Sequence, residues 1–236
     1  MPTALREVAL AVGIPHLGEL ISNFLSHQLQ APNSHSSGSP DVMDNEAANV
    51  PADLHLRCVP SAKATFYSPS DALDSTGLLT EHIRAVDNWM NGHARYDTVF
   101  IVQDTEEDED SEDEDEYGKG FMGLFVGRVR LFFSFRLHGM WYPCVLISEF
   151  TTFGDEPCPV TGMWRVTPDT DTVRGGPLFS VRHLDTVLRA AHLIGYGEAD
   201  SKAKLPWNFG YQNSLDSFQT FYVNKYIDHH AYEIAF

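Results

Sequence analysis

The stretch "IDHHAYE", residues 227 to 233, gathers Asp228, His229, His230 and Glu233, side chains that can hold a divalent metal or move protons. On a helix, His229 and Glu233 are four apart and His230 and Glu233 three apart, so either pair can share a face. Adjacent histidines, however, point about 100° apart and rarely reach one ion. A zinc site needs three or four ligands, and His183 and His192 could join only through the fold. The expectation is hydrogen-bonded or solvated histidines, with no metal, no cofactor and no catalytic residue. A metal-dependent nuclease built on Asp228, His229, His230 and Glu233 stands as the alternative.

Nucleophilic chemistry has little to start from. Cys144 falls in an apolar run, and Cys158 follows "GDEP", whose acids Asp155 and Glu156 would raise a thiol pKa. No G-x-S-x-G, P-loop or G-x-G-x-x-G occurs, and "GDEP" reads as a turn. Three cysteines without C-x-x-C spacing support neither a disulfide framework nor a zinc knuckle. The clearest binding signal is basic. In "GRVRLFFSFR", period two puts Arg128, Arg130 and Arg136 on one side of a strand with Phe132 between them, a face suited to a phosphate backbone. The plain alternative is a solvated face, or one covered and paired with acids. Trp141, Trp164 and Phe150 could line a peptide or methyl-lysine pocket, although core packing is the commoner use of strand aromatics.

The elements that must position these groups follow from periodicity. Leu17, Leu20, Ile21, Phe24, Leu25 and Leu29 recur at helical spacing and predict a helix over about 15–29. Residues 30–53 are rich in Pro, Ser, Asn and Gly and read as a linker. Beyond it, "KATFYS", "DTVFIVQ", "GRVRLFFSFR", "WYPCVLISEF", "GMWRVTP" and "LFSVRH" read as short strands. "LHGM" supplies a reversal at Gly139, and Pro143, which has no amide hydrogen, implies that its strand lies at a sheet edge or begins beyond it. "LLTEHIRAVDNWM" suggests one or two helical turns. Residues 183–195 and the stretch from Ser214 onward read as two helices that close over the sheet, the first stopping at Gly195.

The expected fold is therefore α+β: a small antiparallel β-sheet or barrel of about five or six strands, closed by carboxyl-terminal helices, with an amino-terminal helix. The divisions are 1–29, a helical segment; 30–53, a linker; and 54–236, the α+β domain with an acidic loop at 104–118. The chain is 43% hydrophobic and 12% aromatic, too apolar for a disordered polymer. Its apolar runs fall short of the roughly 18 residues needed to cross a bilayer, and Arg6 and Glu7 spoil the start as a signal peptide. The expectation is an intracellular protein with no membrane and no small-molecule substrate.

The net charge of −17 is local, because 11 of the 33 acids lie in "DTEEDEDSEDEDE", residues 104 to 116. From Phe121 onward ten Lys and Arg face eleven acids, so charge does not exclude nucleic acid. The acidic run could dock a basic protein, mimic DNA, screen the domain from DNA, or be a plain low-complexity loop.

"ATFYSPSD", "RYDTVFIVQD", "RVRLFFSFRLHGMWYPCVLISEFTTFGDEPCPVTGMWRVTPD", "SVRHLDTVLRAAHLIG" and "SLDSFQTFYVNKYIDHHAYEIAF" resemble, in order, the carboxyl-terminal region of Plavaka-type transposon proteins of basidiomycete fungi. The likeness runs from about Lys63 to Phe236. It implies a transposon product whose metal-dependent, acidic-triad transposase core lies upstream of the matched region. Too few residues precede that region here to hold such a core, so no carboxylate triad carries over. The acidic run departs from the shorter loop of the relatives. The resemblance thus implies a non-catalytic accessory or interaction domain, in the nucleus, whose partner is DNA or a basic nuclear protein. A remnant without selected activity is a further alternative.

Overall fold

The computed structural model describes residues 3–30, 50, 51, 53–71, 75–103, 122–197, 205 and 207–235. The acidic run and most of the 30–53 segment lie outside them. In chain order the elements are β1 (Thr3–Ala4), α1 (Leu5–Ala11), α2 (Leu17–Gln30), β2 (His55–Val59), β3 (Ser61–Tyr67), β4 (Leu78–Val86), β5 (Arg95–Tyr96), β6 (Thr98–Val102), β7 (Leu124–Leu137), β8 (Met140–Thr152), β9 (Arg165–Pro168), β10 (Phe179–His183), β11 (Val187–Ala190), β12 (Leu193–Tyr196), α3 (Ser214–Ser217), β13 (Thr220–Val223) and α4 (His229–Ile234). The class is mixed, and a curled antiparallel sheet of seven strands forms a half-barrel. There are more strands than the sequence suggested.

The long hairpin β7–β8 organises everything else. It turns on His138 and Gly139, both at positive φ (49° and 85°), the combination a two-residue type I′ loop requires. β7 pairs β6 over its first half and β2 over its second, while β8 pairs β10 first and β9 last. Pro143 lies just before the β10 pairing begins at Cys144, where its missing donor costs no ladder bond. β11 pairs β6 and β12 pairs β13, at opposite edges of the sheet. Only Ala191 and His192 join those two strands, a span of roughly 10 Å. The edges must therefore approach each other, and the sheet must curl.

Three apolar clusters fill this frame. Helices α1 and α2 bury Val8, Leu17, Ile21 and Leu25 against Leu56, Phe133, Phe135 and Leu146, on one face near the hairpin tip. Inside the curl lie Phe100, Val126, Phe150, Trp164, Val166 and Phe221. On the opposite face, the β3–β4 hairpin packs Ala64, Ile83 and Ala85 on Val99, Ile101, Val129, Phe132, Val145 and Ile147. Burying a large aliphatic or aromatic side chain contributes roughly 1.5–3 kcal/mol each, so the sheet is anchored from both sides. The aromatic pair Trp164 and Phe150 belongs to this core, as expected; Trp141 does not and is 59% exposed.

Three helical expectations fail for one reason. Residues 78–86 form β4, residues 187–196 form β11 and β12, and α3 stops at Ser217 before β13. Each holds β-branched or aromatic residues that suit a strand once a partner is available, and the partners come from distant parts of the chain. Gly195 is no helix terminator. It sits in β12 opposite Phe221, with the Phe218 ring so close that a Cβ would lie 2.2 Å from it. The covers on the sheet are the amino-terminal helices and the β3–β4 hairpin, in place of two carboxyl-terminal helices.

Candidate nucleic-acid interface

The three arginines of β7 do not share a face. The β7–β8 register shifts between Val129 and Leu131, and the extra residue of such a bulge reverses the alternation beyond it. Val129 and Phe132 consequently pack in the same cluster although they are three residues apart. Arg128 lies just before this bulge, and Arg130 is its extra residue. Arg136 lies near the hairpin tip, about 20 Å beyond Arg130 along an extended strand, and donates its Nε–H to the Gly139 carbonyl at 3.2 Å.

Around Arg128 and Arg130 the fold assembles a second pair of arginines. The guanidinium of Arg130 stands 4.8 Å from the Tyr96 ring centre and that of Arg128 5.9 Å. Next to Tyr96 on β5, Arg95 stands 5.4 Å from the Trp89 ring, and Arg84 of β4 stacks on it at 4.2 Å. Trp89 belongs to the short β4–β5 connection, whose following residues Met90 and Asn91 both have positive φ. Four cations thus share two rings, an arrangement worth about 0.5–1 kcal/mol per exposed pair.

Acids answer two of these four charges, and the Arg84 guanidinium donates to the His82 carbonyl at 3.0 Å. Asp216 of α3 takes both terminal nitrogens of Arg128, at 2.5 and 3.3 Å. Asp97 takes Arg95 Nε at 2.7 Å and the Arg84 amide at 2.9 Å. Asp87 accepts the Tyr96 hydroxyl; burial, then this carboxylate, pushes that phenol up to about 12. Arg130 differs from the others. Among the described residues its side chain has no hydrogen-bonded or ion-paired partner. Partial burial, then the neighbouring Arg128 charge, lowers its pKa below the usual guanidinium range, against the pull of Tyr96, Asp216 and Asp87.

The terminal motif serves the fold. Asp228 caps α4 by accepting the Ala231 amide at 2.7 Å and grips Arg189 of β11 with both oxygens, at 2.8 and 2.6 Å. Glu81 of β4 takes the same guanidinium at 2.7 Å, and the Arg189 side chain is 3% exposed. Arg189 also donates to His230 Nδ1 at 3.2 Å, and the His230 ring stacks on Phe66 at 4.5 Å. Asp71 accepts the His229 and His230 amides at 3.1 and 2.9 Å. His229 turns away to pair with Glu233 at 3.2 Å on the exposed face. Burial and the Arg189 charge lower the His230 pKa, against the pull of Asp228, Glu233 and Asp71. Burial raises the Asp228 pKa, but the Arg189 and Ala231 hydrogen bonds outweigh it and the net shift is downward. Among the described residues no three His, Cys, Asp or Glu side chains form a group able to hold a metal.

Cys158 departs from its sequence reading. The Thr161 hydroxyl and amide, the Tyr222 hydroxyl at 3.6 Å and the Val160 amide lower its thiol to about 6. Local donors from the turn after Pro159 prevail over the acids before it, since a thiolate needs direct hydrogen bonds more than distant charge. Cys144 is the buried filler expected, its thiol raised to about 12 by burial.

No family model matches this chain, and no curated protein or solved structure is similar to it. Among the described residues no helix is long and apolar enough to cross a membrane.

Proposed function

We propose that this chain is a non-catalytic accessory domain that contacts DNA in the nucleus, derived from the carboxyl-terminal region of Plavaka-type transposon proteins. The supporting observation is Arg130: a partly buried cation beside the like charge of Arg128, over a ring, with no carboxylate of its own. Desolvating a charge next to another of the same sign is unfavourable. A phosphate oxygen arriving there would relieve both costs, and Arg84 and Arg95 on Trp89 extend the positive rim. The engagement of Asp228 and His230 by Arg189 speaks against the metal-dependent nuclease, because those side chains would have to abandon a buried cation to bind an ion.

Anisotropy of a labelled DNA duplex against salt tests this reading. The expected result is a linear fall of log K with log salt, with Arg130→Ala lowering the slope by about one. An unchanged slope and affinity in Arg130→Ala would remove the rim from the interface. The acidic run favours a second reading, a basic nuclear protein as partner. Pull-down from fungal nuclear extract with and without residues 104–116 separates the two: capture that depends on the run, without DNA binding, supports the protein partner.

A further inference from the structure

At the other end of β7, three neighbouring strands build a groove that the rim does not include. Its volume is about 650 Å³, and Asp53, His55, Arg57, Ser134, Arg136 and Trp141 help to line it. The bulge in β7 is what makes it possible. Beyond the bulge, Ser134 and Arg136 share the face opposite the one that α1 and α2 cover, so their side chains stand on the uncovered end of the sheet.

The registers place three functional groups in a row. Arg57 pairs with Ser134, and Arg136 pairs with Trp141. Arg57 and Arg136 are then diagonal neighbours, about 7–8 Å apart at their backbones, a separation from which two guanidinium groups can converge on one phosphate. Arg136 commits only its Nε–H, to the Gly139 carbonyl at 3.2 Å, which fixes the plane and leaves its terminal nitrogens. The Arg57 guanidinium has no partner among the described residues. His55 donates Nδ1–H to the Asp53 carbonyl at 2.8 Å, which leaves Nε2 to a ligand. Directly across from Arg136, the Trp141 indole is 59% exposed. A large ring on a sheet face offers a stacking platform for a nucleobase, and the volume suits a ligand of nucleotide size.

We infer that this groove binds a nucleotide unit, its phosphate between Arg57 and Arg136 and its base on Trp141. The site is independent of the rim at Arg130 and does not rest on the reading above. Two sources share this chemistry, a free nucleotide and the end of a single strand, and two probes tell them apart. Tryptophan fluorescence of the full chain is titrated with adenosine 5′-monophosphate in one arm and with a 5′-phosphorylated oligothymidine in the other. Saturable quenching is expected in at least one arm, absent in Trp141→Phe, and weakened about tenfold by Arg57→Gln or Arg136→Gln. Quenching by the mononucleotide alone assigns a free ligand; by the oligonucleotide alone, a strand end. These are exposed side chains, so far-UV circular dichroism should match wild type in every variant. Quenching in neither arm, or an affinity that Arg57→Gln combined with Arg136→Gln leaves intact, overturns the proposal.

Discussion

Arg189 and Arg130 both lie on sheet strands beside an aromatic ring, 4.5 Å from Phe66 and 4.8 Å from Tyr96, yet their surroundings differ in kind. Two carboxylates and an imidazole close on Arg189, whose side chain is 3% exposed, and its partners come from β4, α4 and the residue before α4. Arg130 has no ion-paired carboxylate: burial and the Arg128 charge lower its pKa, and the more distant Asp216 and Asp87 offset only part of that. A buried cation survives only when paired, and pairing from several elements makes it a clamp that holds α4 and β4 to β11. A cation left unpaired at a rim adds nothing to stability and is available to an anion. The same residue type therefore holds the fold in one place and, on the proposed reading, is left for a ligand in the other, and its partners decide which.

The largest effect should follow from breaking the clamp. Arg189→Ala strands Glu81 and Asp228 and is expected to destabilise the protein by about 3–5 kcal/mol, read as a shift of the urea midpoint. A loss below about 1 kcal/mol would mean that the carboxylates relax into solvent and that the contrast with Arg130 is false.

The pH dependence of stability sharpens the same contrast. His230 is held below its ordinary value of 6.5, so the unfolded chain takes up a proton there that the folded chain refuses. Its contribution is complete above pH 6.5 and declines as pH falls through the folded-state value. Asp228 and Asp71 are also lowered, from 3.8, and their contributions decline only at more acidic pH. Urea titrations at successive pH values should show the first decline in wild type and lose it in His230→Gln. A curve flat from pH 7 to pH 5 in wild type would mean that His230 is not coupled to Arg189.

The smallest effects belong to the rim. Arg128→Ala and Asp216→Ala in a double-mutant cycle should give about 0.2–1 kcal/mol, because Asp216 is 60% exposed. Arg130→Ala should shift stability by no more than about 0.5 kcal/mol while changing DNA binding. If Arg130→Ala unfolded the protein, Arg130 would be a second clamp and the comparison would collapse.

Much of the frame was legible in local pattern. The strand character of β7 and β8, the reversal at Gly139 and the helix ending near residue 29 depend on neighbours within a few positions, and all three stand in the structure. The bulge was not legible, because "RVRLFF" fits unbroken period two as well as a shifted register, and only pairing with β8 selects between them. The strand character of residues 187–196 was hidden for the same reason: Leu184, Val187, Leu188 and Ala191 satisfy a helical stripe, and β6 and β13 override it. Basic character at Arg128, Arg130 and Arg136 could be read from residue type, whereas Tyr96, Trp89 and Arg57 carried no signal without the strands that bring them near.

By itself the sequence determined where apolar alternation demands strands, where glycine permits a reversal, and that 11 of the 17 net negative charges sit in one run. Those are consequences of side-chain chemistry and backbone sterics over short spans. Tertiary structure alone decided which arginine is clamped and which is free, because ion pairs form between residues that chain connectivity leaves far apart. It also decided that Asp228 and His230 hold a helix to a sheet: a carboxylate and an imidazole have no fixed role until the low-dielectric interior supplies, or withholds, the cation between them.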